Sequence, residues 1–250
     1  MGAATTRASP TRAAAGRRPR AEAADTLAER IERVATALFI RDGYHGVSYL
    51  DIARELGITH SNVHYYYRNK ADLAGAVLKR VARDTLAATG AIWRDAAAPL
   101  PEKFVRMRDW IYRSYLQFNP DGKGGRPWGL LSRFSMEADA LSPEMRQLIR
   151  ATLKRLEADL QSAVAAAVER GELVADTPVD GVVLQIANVM YQTGHLTRYA
   201  AGFARLDELL RWTITILGRA YGTGWQARID WPEPRDATAR AASTATGGKT

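Results

Sequence analysis

Apolar residues recur along most of the chain at helical spacing. From Thr26 to Arg41, Leu27, Ile31, Val34, Ala35, Leu38 and Phe39 form one stripe, and Gly43 supplies the stop. Two short amphipathic segments follow, from Ser48 to Leu56 and from Thr59 to Tyr67. A longer one opens at Asn69 and carries Leu73, Val77, Leu78 and Val81 towards Trp93. Past the break Ala96–Pro101, Phe104, Met107, Ile111, Tyr115 and Phe118 share a face within a helix expected over Glu102–Phe118. Further helices are expected at Trp128–Ala138, from Ser142 to a stop at Gly171, at Val179–Tyr199 and at Leu206–Tyr221. No strand alternation and no internal repeat intervenes, so the chain is expected to be all-α, a helical bundle.

The two short segments carry their own punctuation. Ser48 reads as an N-cap with Asp51 three residues on, and Val47 and Ile52 fall at the positions of a hydrophobic staple. Gly57 supplies a left-handed stop, Thr59 caps the next helix at once, and Ile58 with Val63 forms a second staple. Two capped helices separated by one glycine describe a helix-turn-helix. On the second helix Ile58, Val63 and Tyr67 point inward, while His60, Ser61, Asn62, His64 and Tyr65 point mainly outward. An ordinary solvated helix face would carry Lys, Glu and Ala there. This mixture suits a major groove, where Asn pairs with adenine, Ser and Thr serve either strand, and His or Tyr reaches phosphate or base edges. Asn69 is expected to cap the following helix in a further capping-box variant with Asp72, which puts Lys70 at its first position, where free N–H groups favour a phosphate.

At these residues the chain resembles the TetR family of bacterial transcriptional regulators. The likeness runs through RIERVATALFIRDGYHGVS, YLDIARELGITHSNVHYYY and RNKADLAGAV, and covers roughly Asp25 to Arg80. It implies an N-terminal three-helix DNA-binding domain, followed by a helical domain that dimerises and binds an inducer. Residue by residue, it implies DNA contacts from Ser48, Thr59, His60, Ser61, Asn62, His64, Tyr65 and Tyr66, with Lys70 on a phosphate. His64 stands where the family usually has tyrosine, Tyr66 where it has histidine and Tyr67 where it has phenylalanine, so an operator cannot be borrowed from a relative.

Composition narrows the function further. The 250 residues are 46% hydrophobic and 25% charged, as in a soluble globular protein. No apolar run approaches a membrane span, and a cytoplasmic, bacterial protein is expected, with the nucleoid when bound to DNA. Absence of cysteine excludes disulfides, thiolate zinc sites and Cys nucleophiles. A net charge of +8 favours an anionic partner, double-stranded DNA among them. Part of that charge sits in residues 1–24, read as a disordered basic tail, either a solvated extension or a weak electrostatic aid to DNA binding. Residues 225–250 are likewise expected to be largely disordered, with Trp225 and Trp231 as anchors. The remaining chain divides into a DNA-binding domain over 25–85 and a C-terminal domain over 86–224.

In the C-terminal domain, the last two helices carry more apolar residues than one buried face needs. A second subunit would cover the surplus, and Val182, Ile186, Leu209, Trp212 and Ile216 are the expected homodimer contacts. Large side chains with single polar atoms, Trp110, Tyr115, Phe118, Phe134, Tyr191 and His195, are candidates for a pocket that takes a small organic effector. Aromatics at helical spacing are more often plain core, and His195 reads rather as a hydrogen-bonded core histidine than as a ligand contact. Enzyme readings fail for lack of parts: four histidines, no HExxH and no phosphate-binding glycine loop. His60 and His64 are i, i+4, yet lie on the DNA-facing surface without a third ligand, so no metal and no cofactor is expected. Two function classes remain: a ligand-responsive regulator, most simply a repressor, or a helical ligand-binding or interaction protein whose helix-turn-helix is not used for DNA.

Overall fold

The computed structural model describes residues 25–224 and 231–234; the basic segment 1–24, Trp225 and most of the C-terminal tail lie outside them. Among the described residues, helices run α1 Leu27–Asp42, α2 Tyr49–Leu56, α3 His60–Tyr66, α4 Lys70–Trp93, α5 Leu100–Leu116, α6 Leu130–Met136, α7 Pro143–Glu169, α8 Val179–Tyr191, α9 Thr193–Tyr199 and α10 Ala204–Tyr221. No strand occurs among them.

Local chemistry accounts for the N-terminal boundaries. Thr26, Ser48 and Thr59 each complete a capping box, with Glu29, Asp51 and Asn62 as the returning side chains. Gly57 ends α2 in the left-handed region at φ 64°. The box expected at Asn69 is only half made: the Asp72 N–H donates to Asn69 Oδ1 at 2.9 Å, and no returning bond to the Asp72 side chain is formed.

Four expected helices differ, the one expected over Glu102–Phe118 running two residues earlier, as Leu100–Leu116. The segment at Trp128 starts only at Leu130, because Gly129 takes an extended conformation as N-cap, and a 3₁₀ turn, Ala138–Ala140, succeeds it. The run expected over Val179–Tyr199 is broken at Gln192 into α8 and α9, so that the Thr193 and Thr197 side chains turn inward. The last helix opens two residues early, at Ala204.

Two apolar clusters form the interior. One lies within the bundle of α4, α5, α7, α8 and α10. The other joins α1 to α4, but is completed by Leu130 and Phe134 of α6 and by Met145 and Ile149 of α7. With α4 also unbroken from Lys70 to Trp93, the expected division at residue 85 does not coincide with a boundary in the core. The far end of α4 is fastened by charge: fully buried Lys103 donates from Nζ to the Trp93 carbonyl at 2.8 Å, and Arg94 pairs with buried Asp159 of α7. Burial pushes the Lys103 ammonium below its ordinary value.

A second buried cation holds the C-terminal segment. Arg108, fully buried, pairs with Asp109 and Asp207, donates to the Pro232 carbonyl at 2.8 Å and stacks under Trp231. Trp231 is thus the anchor expected for the tail, and Arg108 is the reason it stays.

Candidate nucleic-acid interface and effector cavity

The outward face of α3 is built as its sequence suggested. Thr59, His60, Ser61, Asn62, His64, Tyr65 and Tyr66 are all exposed, Tyr65 at 84%, while Val63 is fully buried beneath them. Tyr65 and Tyr66 meet edge-to-face, ring centroids 5.2 Å apart. His60 and His64 lie 4.4 Å apart, and His64 leans on buried Tyr49 at 4.7 Å. This aromatic packing sets the direction of both imidazoles. Tyr49 in turn donates its hydroxyl to the Tyr67 carbonyl at 3.1 Å, fastening the C-terminal end of α3 to α2. Burial raises the Tyr49 phenol to about 12.

Two contact residues are less free than expected. Asn62 Oδ1 accepts from Thr59 Oγ1 at 2.6 Å and from the Thr59 N–H at 3.1 Å. Only its amino group remains to donate, so a two-bond contact with adenine requires the cap to open. Lys70 donates to the Val47 carbonyl at 3.2 Å and lies 4.8 Å from the Tyr44 ring centroid. Its ammonium therefore pins the α1–α2 loop and keeps two donors for a phosphate. Ser48 is exposed, with its hydroxyl committed to the Asp51 box.

Behind this surface lies a cavity of about 850 Å³. Of the expected pocket residues, Trp110, Phe118, Tyr191 and His195 line it. Tyr115 and Phe134 do not. Tyr115 is fully buried, its hydroxyl donating to the Gly124 carbonyl at 2.7 Å. Phe134 is a wedge of α6 in the N-terminal core, 5.6 Å from the Phe39 ring and 6.2 Å from that of Tyr44. Aromatics on a helical stripe filled core in both cases.

The cavity wall also includes residues with no forewarning in the motifs: Thr36 and Ile40 of α1, Arg80 and Asp84 of α4, and Glu157 of α7. A signal for Glu157 was available, since it sits inside the apolar stripe of Leu153, Leu156 and Leu160. Thr36 and Arg80 connect the cavity to α3. Arg80 Nη2 donates to Thr36 Oγ1 at 2.8 Å, and its Nε stands 3.3 Å from Glu32 Oε2. Glu32 Oε1 accepts the Tyr67 hydroxyl at 2.7 Å, and Tyr67 is the residue that ends α3. Burial, followed by this carboxylate, holds the Tyr67 phenol well above its ordinary value. Tyr67, one of the two tyrosines at which the chain departs from the pattern it resembles, thus contributes through its hydroxyl to this chain of contacts.

A second link runs through α6, whose Leu131, Ser132, Ser135 and Met136 also face the cavity. Glu137, just past it, accepts the Tyr44 N–H at 2.6 Å and stands 2.9 Å from Arg133 Nε. Gly43 makes room for this grip: its φ is 78°, and a Cβ there would collide with Glu137 and Arg133.

The expected dimer residues divide. Val182 and Ile186 belong to the subunit's own core, at 6% and 1% exposure, because that face of α8 packs inward. Leu209, Trp212 and Ile216 are exposed along one side of α10, and Leu184 of α8 is exposed too. An apolar excess is thus present, but on α10 and not on the inner face of α8.

Comparison with known proteins agrees with this arrangement. Residues 31–77 match the model for bacterial regulatory proteins of the tetR family, and residues 112–211 match that of a tetracyclin repressor-like C-terminal domain. The HTH-type transcriptional regulator RutR of Escherichia coli K12 is 29% identical over 167 residues, 66% of this chain and 70% of its own. Among solved structures, a regulatory protein TetR from Rhodobacter sphaeroides superposes with a TM-score of 0.64 at 18% identity, covering 78% of this chain and all of the other. A TetR transcriptional regulator from Legionella pneumophila gives 0.64 at 21%, over 77% and 98% of the two chains. With a capped helix-turn-helix, an exposed aromatic and polar α3 and both family segments matched in order, the chain belongs to the TetR family of transcriptional regulators.

Proposed function

We propose that this protein binds an inverted-repeat operator as a homodimer, acts as a repressor, and leaves DNA when a small organic effector fills the cavity. The observation that carries this is the shared wall: Thr36 and Arg80 line the cavity and belong to the helices that carry α3. An effector changes DNA affinity only if it favours one conformer over another. Displacing Arg80 or α6 would disturb Glu32, Tyr67 and Tyr44, and with them the pose of α3. Two recognition helices must sit in register on one duplex, so a small misplacement costs contacts at both half-sites. The exposed row of Leu209, Trp212 and Ile216 supplies the surface for a second copy.

Selection from a random DNA pool followed by gel shifts tests the reading. An enriched inverted repeat is expected, with affinity that falls steeply as salt rises. Lys70→Ala should weaken binding on all sequences, whereas Asn62→Ala should change preference at one position per half-site while loosening the α3 cap. Failure to enrich any inverted repeat over random DNA would sink the proposal.

A further inference from the structure

The charges facing the cavity are unequal in what they have left to bind. Arg80 is already committed, to Glu32 and to Thr36. Asp84 lies at an exposed position and pairs with Arg83 at 2.9 Å. Glu157 is different: half-buried, it accepts the Tyr191 hydroxyl at 2.8 Å, and among the described residues no cation pairs with it. A carboxylate facing apolar surroundings without a counter-charge is costly, and it attracts whatever cation can reach it. Trp93, Trp110 and Trp128 line the same cavity. Indole faces favour cations and tolerate no anion comparably.

We infer that the cavity takes an organic cation, an amphipathic molecule whose positive centre lies near Glu157 and whose apolar part packs among the tryptophans. This rests on the cavity being the effector site, and names the chemical class of its ligand. An anion would find Arg80 with donors left but its charge already balanced by Glu32, and would have to approach a Glu157 that has no paired cation among the described residues, so it is disfavoured on both counts. A neutral apolar molecule would fill the volume but leave the carboxylate without a counter-charge.

Two probes of one shape and opposite charge separate these cases: tetraphenylphosphonium and tetraphenylborate. Calorimetry with the full chain, without DNA, should show the phosphonium binding at least about tenfold more tightly, a difference of about 1.4 kcal/mol. Glu157→Gln keeps the size of the side chain and an acceptor for Tyr191, and should lose about tenfold in phosphonium affinity. Asp84→Asn should stay within about twofold, because its charge is already paired and exposed. Equal binding of the two probes by the wild type overturns the inference, even if Glu157→Gln fails to fold. So does unchanged phosphonium affinity in a folded Glu157→Gln. The regulator reading fails separately: a protein that takes the cation through Glu157 but enriches no operator keeps this inference and loses that one. Operator binding released by other compounds, with no preference for the phosphonium, gives the reverse.

Discussion

If Glu32 joins the cavity wall to the recognition helix, its two partners should be energetically coupled without touching each other. Tyr67→Phe removes one hydrogen bond to the carboxylate, at 2.7 Å, and leaves Arg80 in place. A bond to a charged group contributes roughly 1.5–3 kcal/mol, and the lower end applies because the Glu32 and Arg80 side chains keep 19% and 25% of their surface exposed. A loss of about 1.5 kcal/mol lowers the melting temperature of a chain this size by about 3–6 °C. Arg80→Gln should cost a similar amount, with Tyr67 still serving Glu32. In the double variant the half-buried carboxylate has neither partner, and the desolvation penalty appears in full. The double loss should therefore exceed the sum of the single losses by at least about 0.5 kcal/mol. Thermal or urea melts of the four proteins measure this directly. Additivity within about 0.3 kcal/mol would mean that Glu32 transmits nothing, and the route from cavity to α3 would then fall to α6 alone.

Ile216→Arg, at a position 61% exposed in the single subunit, should leave the helix content by circular dichroism unchanged yet shift the protein to monomers and remove the concentration dependence of its melting temperature. Sedimentation velocity at micromolar concentration decides it, and a wild type that is already monomeric contradicts the assignment of the α10 face. Alkaline stability should fall as pH rises past about 10, since burial raises the phenols of Tyr44, Tyr49, Tyr67, Tyr115 and Tyr191, Tyr49 to about 12. The unfolded chain then loses protons that the folded one retains. The depressed Lys103 acts oppositely below its unfolded value, but it is one group against five. Melts at about pH 9 and about pH 11 that coincide would contradict the burial of these phenols.

Much of this protein is determined locally. The Ser48–Asp51 box, the Thr59 cap, the left-handed Gly57 and the apolar spacing of α1 to α4 depend on residues within a turn or two of each other, so a linear reading finds them; the boxes closed by Glu29 and Asn62 are as local but emerge only in the structure. The exposed face of α3 follows for the same reason: once Val63 is inward, Ser61, Asn62 and Tyr65 must be outward. Contacts between distant segments decided the rest. Val182 and Ile186 carry the same apolar signal as Leu209 and Ile216, but only packing against other helices puts the first pair in the core and leaves the second in solvent. Tyr115 and Phe134 look like pocket residues by composition, and the paths of α5 and α6 turn them into core. Asn62 reads as a base reader from the sequence, and the structure adds that its Oδ1 also closes the α3 cap. Glu32, Arg80 and Tyr67 are 35 or more positions apart in two of their three pairings, and no periodicity links them. A helix's own pattern says which face is apolar; it does not say what that face will meet. The cavity, the position of Glu157 in its wall and the contacts from Arg80 to Tyr67 all belong to that second question.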